Sequence, residues 1–167
     1  RPSNPFYVLP LPRRHPNVCS VSSPQPLPAP QLFRTPMAKT FSELVQNAQT
    51  GIPLVEPKEL HQRLRHEPNL LVLDIRDAGD LNLTGIIEGS ENVSMGTLYF
   101  RADHTQPTEV QAPCLADKDR PIVTTCTLGA VASIAAKTLQ DYGFTNVSIL
   151  EGGNVAWGEA GLPLKKV

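Results

Sequence analysis

Cys126 is the residue of this chain whose type and surroundings best suit chemistry. The β-branched run at 121–125 predicts a strand that ends at this cysteine, and helical spacing begins a few residues later. In the loop between them, unpaired N–H groups and the positive end of the helix dipole favour a thiolate. The same groups suit an anionic substrate or the terminal sulfur of a persulfide. The pattern predicts a nucleophile, the alternative being the buried, inert thiol that free cysteines often form.

The segment after the cysteine supplies the expected substrate contacts. Gly129 has no Cβ atom, so the chain can turn tightly there and leave backbone amides open toward a pocket. No histidine is placed in sequence to activate Cys126, so we expect the loop itself to do so. The predicted substrate-binding loop consists of Thr127, Leu128, Gly129, Ala130 and Val131.

Asp74 and Arg76 form a second group of candidates, because they follow the apolar run that begins at Asn69. Both are predicted to be structural supports, with Asp74 capping a neighbouring turn and Arg76 pairing with a carboxylate such as Asp77. The alternative is that they line the pocket. Trp157 has the same two roles open to it, although a lone tryptophan after two glycines favours the core.

The remaining cysteines and the histidines give no sign of a metal site or a disulfide framework. Cys19, Cys114 and Cys126 are too few and too irregularly spaced, and no CxxC or Cys/His metal motif is present. We therefore expect no metal, no cofactor and a reducing compartment. A disulfide between Cys114 and an oxidised Cys126 stays open as an alternative.

A regular alternation of elements is predicted to position these residues. The pattern predicts strands at 69–74, 121–125 and 146–150, and helices after Thr40, from Pro57, and from about Val131 until Gly143. Alternating strands and helices indicate an α/β fold with a parallel sheet covered by helices, in which ligands bind outside the carboxyl ends of the strands. Cys126 stands at such an end.

The chain divides by composition into three parts. Residues 1–36 contain ten of the 17 prolines and no acidic residue, which predicts a disordered extension, with an organelle transit peptide as the alternative. Met37 begins a stretch that resembles an internal start of translation. Residues 37–51 are predicted to form a leading helix and linker, and residues 52–167 to form one domain.

Charge and hydropathy restrict the partners. The formal net charge of −1 provides no field that would attract nucleic acid or an anionic membrane. No apolar run approaches the roughly 20 residues that span a bilayer. We therefore expect a soluble, cytoplasmic protein, or one in an organelle if the first segment is a transit peptide.

Several short motifs, in this order and spacing, resemble those of the rhodanese family of sulfurtransferases. They are Asp74-Ile75-Arg76-Asp77, Gly85 with Gly89, Cys126-Thr-Leu-Gly129, Gly143-Phe144, Asn146-Val147, Gly152-Gly153, Trp157 and Gly161-Leu162-Pro163. The resemblance covers about 95 residues from Leu70 onward. It implies a three-layer α/β/α domain around a central parallel sheet. It also implies that Cys126 accepts sulfane sulfur from a donor such as thiosulfate, becomes a persulfide and passes the sulfur to a thiol acceptor.

The loop departs from the family pattern CxxGxR, because Val131 stands at the position of the arginine. A guanidinium bound to an oxyanion contributes roughly 1.5 to 3 kcal/mol, so its loss predicts weak thiosulfate binding and favours a persulfide or polysulfide donor. Glu88 and Ser90 replace the usual Pro and Ala around Gly89, and Met95 stands where a related subgroup has Arg.

Two other functions stay open. The first is a catalytically degenerate domain that serves as a binding or regulatory module, for which the missing arginine would be the signature. The second is a cysteine-based phosphatase, which needs an arginine six residues after the cysteine, where this chain has Ala132.

Overall fold

The computed structural model describes residues 38–167. The predicted Pro-rich extension at 1–36, the internal start at Met37 and Cys19 lie outside the described residues. The helices are α1 (Phe41–Gln49), α2 (Pro57–His66), α3 (Ala78–Thr84), α4 (Met95–Arg101), α5 (Ala130–Asp141) and α6 (Gly153–Glu159). The strands are β1 (Leu54–Val55), β2 (Leu71–Asp74), β3 (Ile86–Ile87), β4 (Glu91–Asn92), β5 (Ile122–Thr125), β6 (Val147–Leu150) and β7 (Leu164–Lys165).

Five strands form a parallel sheet in the order β1-β6-β5-β2-β4. Every residue of β2, β5 and β6 is buried, as expected for strands that are covered on both faces. Strands β2, β5 and β6 are the three strands that the sequence predicts. The structure confirms the α/β fold with a parallel sheet.

Two apolar clusters, one on each face of the sheet, make the domain a three-layer structure. Leu71 and Leu73 of β2 pack in the cluster that includes residues of α4 and α5, whereas Val72 packs in the cluster that includes residues of α2 and α6. This division follows from the alternation of side chains along a strand. Among residues 38–167, no helix is both long enough and apolar enough to cross a membrane.

The leading helix α1 is held at its start by the capping box that Thr40 begins. The Thr40 hydroxyl accepts a hydrogen bond from the Glu43 N–H, and the Glu43 carboxylate accepts one from the Thr40 N–H. These bonds hold the pKa of Glu43 below its usual range. At the other end of the helix, Gln49 donates to the Ser133 hydroxyl at 3.1 Å, which ties α1 to α5.

Candidate active site

Cys126 follows the last residue of β5, and its side chain is almost fully buried. The Gly129 N–H donates a hydrogen bond to the Cys126 Sγ at 3.2 Å. Gly129 adopts a φ of 83°, in the left-handed region that favours glycine. This conformation turns the chain back toward the cysteine, so that its amide points at the sulfur.

The first residues of α6 hold the loop from one side. The Asn154 N–H donates to the Cys126 carbonyl at 2.8 Å, and the Val155 N–H donates to the Thr127 carbonyl at 3.1 Å. Gly153 lies so close to the loop that a Cβ atom there would overlap the backbone of Cys126, Thr127 and Gly129. The loop conformation is therefore fixed by backbone contacts with a helix that follows it in sequence.

Helix α5 holds the loop from the other side. The Gly129 carbonyl accepts hydrogen bonds from both the N–H and the hydroxyl of Ser133, each at 3.0 Å. Because Ala130, Val131 and Ala132 form the first turn of α5, their N–H groups have no partner inside the helix. The cysteine thus lies beside the N-terminus of a helix, as the sequence predicts.

A cavity of about 460 Å³ lies beside the cysteine. Its wall brings together the loop, the starts of α1, α3, α4 and α5, and the chain just after β2. The lining residues are Phe41, Ile75, Arg76, Asp77, Asp80, Met95, Gly96, Cys126, Thr127, Leu128, Ala130 and Val131. Five predicted site residues besides Cys126 lie on this wall, namely Arg76, Thr127, Leu128, Ala130 and Val131, whereas Gly129 contributes through its bond to the sulfur.

Arg76 is buried and forms an ion pair with Asp74, not with Asp77. Its Nε and Nη2 donate to both carboxylate oxygens of Asp74, at distances of 2.6 to 3.0 Å. Arg76 thus pairs with a carboxylate, as predicted, but the partner is Asp74 and not the suggested Asp77, which accepts a hydrogen bond from the Ser94 hydroxyl. The guanidinium reaches the cavity wall, but its charge is already neutralised.

Asp74 also has the predicted turn-capping contact, because its Oδ1 accepts a hydrogen bond from the Arg76 N–H at 3.1 Å. It does not line the cavity. The Asn154 side-chain amide donates to Asp74 at 3.1 Å and accepts from the Thr125 hydroxyl at 2.8 Å. Through Asn154, the buried ion pair is connected to the strand end and to the helix that holds the cysteine loop.

The family model of the rhodanese-like domain matches residues 56–160. The chain belongs to the rhodanese-like domain family. The thiosulfate sulfurtransferase GlpE of Shewanella oneidensis is 35% identical over 89 residues, which are 53% of this chain and 76% of that protein. A sulfurtransferase of Allochromatium vinosum is 28% identical over 110 residues, which are 66% of this chain and 92% of that protein.

Solved structures show the same fold as this rhodanese-like chain. A protein of unknown function from Rhodopseudomonas palustris, described as a possible tyrosine phosphatase, has a TM-score of 0.71 and 27% identity, covering 78% of this chain and 97% of that one. The polysulfide-sulfur transferase homodimer from Wolinella succinogenes has a TM-score of 0.58 and 28% identity, covering 74% and 85%. The resemblance to this family is confirmed.

The other candidates of the rhodanese-like domain lie away from the cavity. Trp157 is buried in the apolar cluster that includes residues of α2 and α6, and its Nε1 donates to the Pro163 carbonyl at 3.0 Å. Cys114 is partly buried; burial, followed by the nearby charge of Glu91, raises the pKa of its thiol. Cys114 is therefore a poorer nucleophile than an ordinary exposed thiol. Both cysteines in residues 38–167 are free.

No group of three or more metal-ligating side chains is arranged to hold a metal ion within the described part of this rhodanese-like chain. Sequence reasoning missed several residues of the wall that come from distant elements, above all Phe41, Gly96 and Asp80, whereas it noted Met95 as an altered family position. Asp77 was predicted only as a partner of Arg76. The one signal that could have placed Asp77 and Asp80 on the wall is their position shortly after a buried strand, because ligands bind at that edge of a parallel sheet.

Proposed function

We propose that this rhodanese-like chain is a sulfurtransferase that carries sulfane sulfur as a persulfide on Cys126. The observation that supports this best is the position of Cys126 on the cavity wall, with its sulfur accepting a hydrogen bond from the Gly129 N–H at 3.2 Å. The unit that we assign to this activity spans residues 52–167, preceded by a leading segment at 37–51.

The proposed reaction has two displacements at sulfur. The Cys126 thiolate attacks the sulfane sulfur of a donor, the donor's S–S bond breaks, and the rest of the donor leaves with the bonding electron pair. A thiolate acceptor then attacks the outer sulfur of the Cys126 persulfide and releases the cysteine as a thiolate. The Gly129 N–H and the free N–H groups at the start of α5 are suited to holding the anionic outer sulfur between the two steps.

The cavity favours a persulfide or polysulfide donor over thiosulfate. Val131 occupies the position of the family's arginine, and the guanidinium of Arg76 is already bound to Asp74. Among residues 38–167, the thiosulfate dianion therefore meets no free guanidinium on the cavity wall. The names of the relatives include both a thiosulfate sulfurtransferase and a polysulfide-sulfur transferase, so both donors belong in the test.

The missing arginine also supports a second function, that of a degenerate domain kept as a binding or regulatory module. Mass spectrometry after incubation with polysulfide or thiosulfate separates the two. For a sulfurtransferase we expect an added mass of about 32 Da, one sulfur atom, on the peptide that contains Cys126. The adduct should be absent from Cys114 and from Cys126→Ser, and a subsequent thiol should remove it. An unmodified Cys126 with every donor would leave only the binding module.

Val131→Arg is expected to raise thiosulfate turnover by about tenfold or more, because a charge-assisted contact with an oxyanion is worth roughly 1.5 to 3 kcal/mol. Val131 lines the cavity from the first turn of α5, at the end of the cysteine loop, so a guanidinium there is expected to reach the anion. Val131→Met, a long uncharged substitution, is the control and should give no gain. Steady-state rates with thiosulfate measure the effect. Equal rates for both variants would show that the loop is not shaped for this anion.

A further inference from the structure

The charged groups on the cavity wall leave an excess of negative charge. Arg76 is neutralised by Asp74, whereas Asp77 and Asp80 are both exposed carboxylates on the wall. The ion pairs found within residues 38–167 are Arg63–Glu67, Arg76–Asp74 and Lys137–Asp141, and neither of these two aspartates takes part in one. A molecule that enters the cavity therefore meets two carboxylates that form no ion pair with any residue of the described part of the chain.

The rest of the wall is mainly apolar and has room for carbon atoms. Phe41 and Leu128 line the cavity while remaining 56% and 67% exposed, so they present apolar surface to an incoming molecule. The volume of about 460 Å³ falls in the range of pockets that bind small organic molecules. Phe41 belongs to α1, which precedes the residues matched by the family model. The leading helix therefore adds an aromatic ring to a site whose other parts come from the family domain.

We propose, on the basis of the sulfur transfer proposed above, that the cavity selects persulfides whose carbon body ends in a cationic or uncharged group. Asp77, Asp80 and Phe41 are then residues that determine specificity. The two carboxylates attract an ammonium group and repel a carboxylate or sulfonate, and the ring of Phe41 contacts the carbon body. The missing arginine and the acidic wall thus select the same class of donor.

The chemical step for such a donor balances without any further reactant. The Cys126 thiolate attacks the outer sulfur of the persulfide RSSH, the donor's S–S bond breaks, and the thiolate RS⁻ leaves with the electron pair. Cys126 keeps the transferred sulfur and its proton as Cys126–SSH. The charge of the group R does not change in the reaction, so it affects only the approach and binding of the donor.

Three donors of similar size test the charge preference: the persulfides of cysteamine, 2-mercaptoethanol and 3-mercaptopropionate, which carry an ammonium, a hydroxyl and a carboxylate. The rate at which each donor persulfidates Cys126 is measured by mass spectrometry. It is divided by the rate at which the same donor persulfidates a small uncharged thiol in solution, because this ratio removes differences in intrinsic reactivity between the donors. We expect the order ammonium, hydroxyl, carboxylate, with the first about three- to tenfold faster than the last. The ratio should fall at high salt.

The double variant Asp77→Asn/Asp80→Asn should bring the ammonium-to-carboxylate ratio close to one. Glu88→Gln/Glu109→Gln is the matched control, because it removes two exposed carboxylates that do not line the cavity and changes the net charge by the same amount. In the control the ratio should stay within about twofold of the parent protein's. An equal ratio in both variants would assign the preference to overall charge and overturn the proposal.

Phe41→Ala tests the contribution of the leading helix. We expect it to lower the ratio of rates for benzyl persulfide over methyl persulfide by about two- to tenfold. Leu44→Ala removes an exposed apolar side chain one turn further along α1, away from the cavity wall, and should leave that ratio unchanged. If Cys126 is still loaded but the rate depends neither on donor charge nor on Phe41→Ala, the proposed selectivity is refuted while the sulfur transfer stands. An absence of loading by every donor would refute the sulfur transfer itself.

Discussion

Gly153→Ala is expected to lower the free energy of unfolding by about 2 to 4 kcal/mol and to abolish sulfur loading of Cys126. Gly153 has a φ of 62°, and a Cβ atom there would lie 2.7 Å from the Gly129 N and 2.8 Å from the Thr127 O. It would lie closer still to the Cys126 carbonyl oxygen. These are backbone atoms, so the methyl group is accommodated only if the cysteine loop moves. Urea denaturation and the mass-spectrometric loading assay measure the two effects.

Gly161→Ala is the matched control for this prediction. Gly161 has a similar φ of 73°, but no atom lies within 4 Å of the position that a Cβ would take. The control therefore carries only the backbone strain, about 1 to 2 kcal/mol, and should keep full sulfur loading. If both variants lose the same stability and both retain loading, the contact between α6 and the loop does not position the cysteine.

Arg76→Met should destabilise the protein by about 3 to 5 kcal/mol, because it leaves a buried carboxylate without its cation. Asp74 is 0% exposed, and Arg76 satisfies both of its oxygens while donating to the Thr84 hydroxyl and the Gly85 carbonyl. Because Asn154 connects this pair to α6, we also expect slower sulfur loading. Urea denaturation gives the free energy, and the loading assay gives the rate.

Arg63→Met provides the comparison for a partly exposed pair. Arg63 donates to Glu67 one turn away, and both side chains are accessible to solvent. Pairs of this kind contribute about 0.2 to 1 kcal/mol, so the loss should be several-fold smaller than for Arg76→Met. The double variant Asp74→Leu/Arg76→Met should recover part of the lost stability, because it removes the orphaned charge together with its partner. Similar losses for Arg63→Met and Arg76→Met would contradict this account of the buried pair.

The sequence by itself determined the elements whose pattern is strong and local. The strands at β2, β5 and β6 are continuous apolar or β-branched runs, because both of their faces are buried. The start of α1 could be predicted at Thr40 because a capping box involves only residues three apart. Gly143 takes its positive φ at the end of α5 as predicted, since few other residues adopt that conformation without strain. The cysteine loop could be located because a strand and a helix adjoin it directly.

The tertiary structure alone decided which residues meet. The edge strands β1 and β4 have two residues each, too few for a periodic pattern. Which carboxylate pairs with Arg76 depends on the direction in which the chain bends after β2, and adjacent residues do not specify that direction. Phe41 and Cys126 line one cavity only because α1 packs along α5, and Gly153 fixes the loop only because α6 returns to it. Contacts between residues distant in sequence depend on the packing of whole elements, so local propensity and spacing do not reveal them.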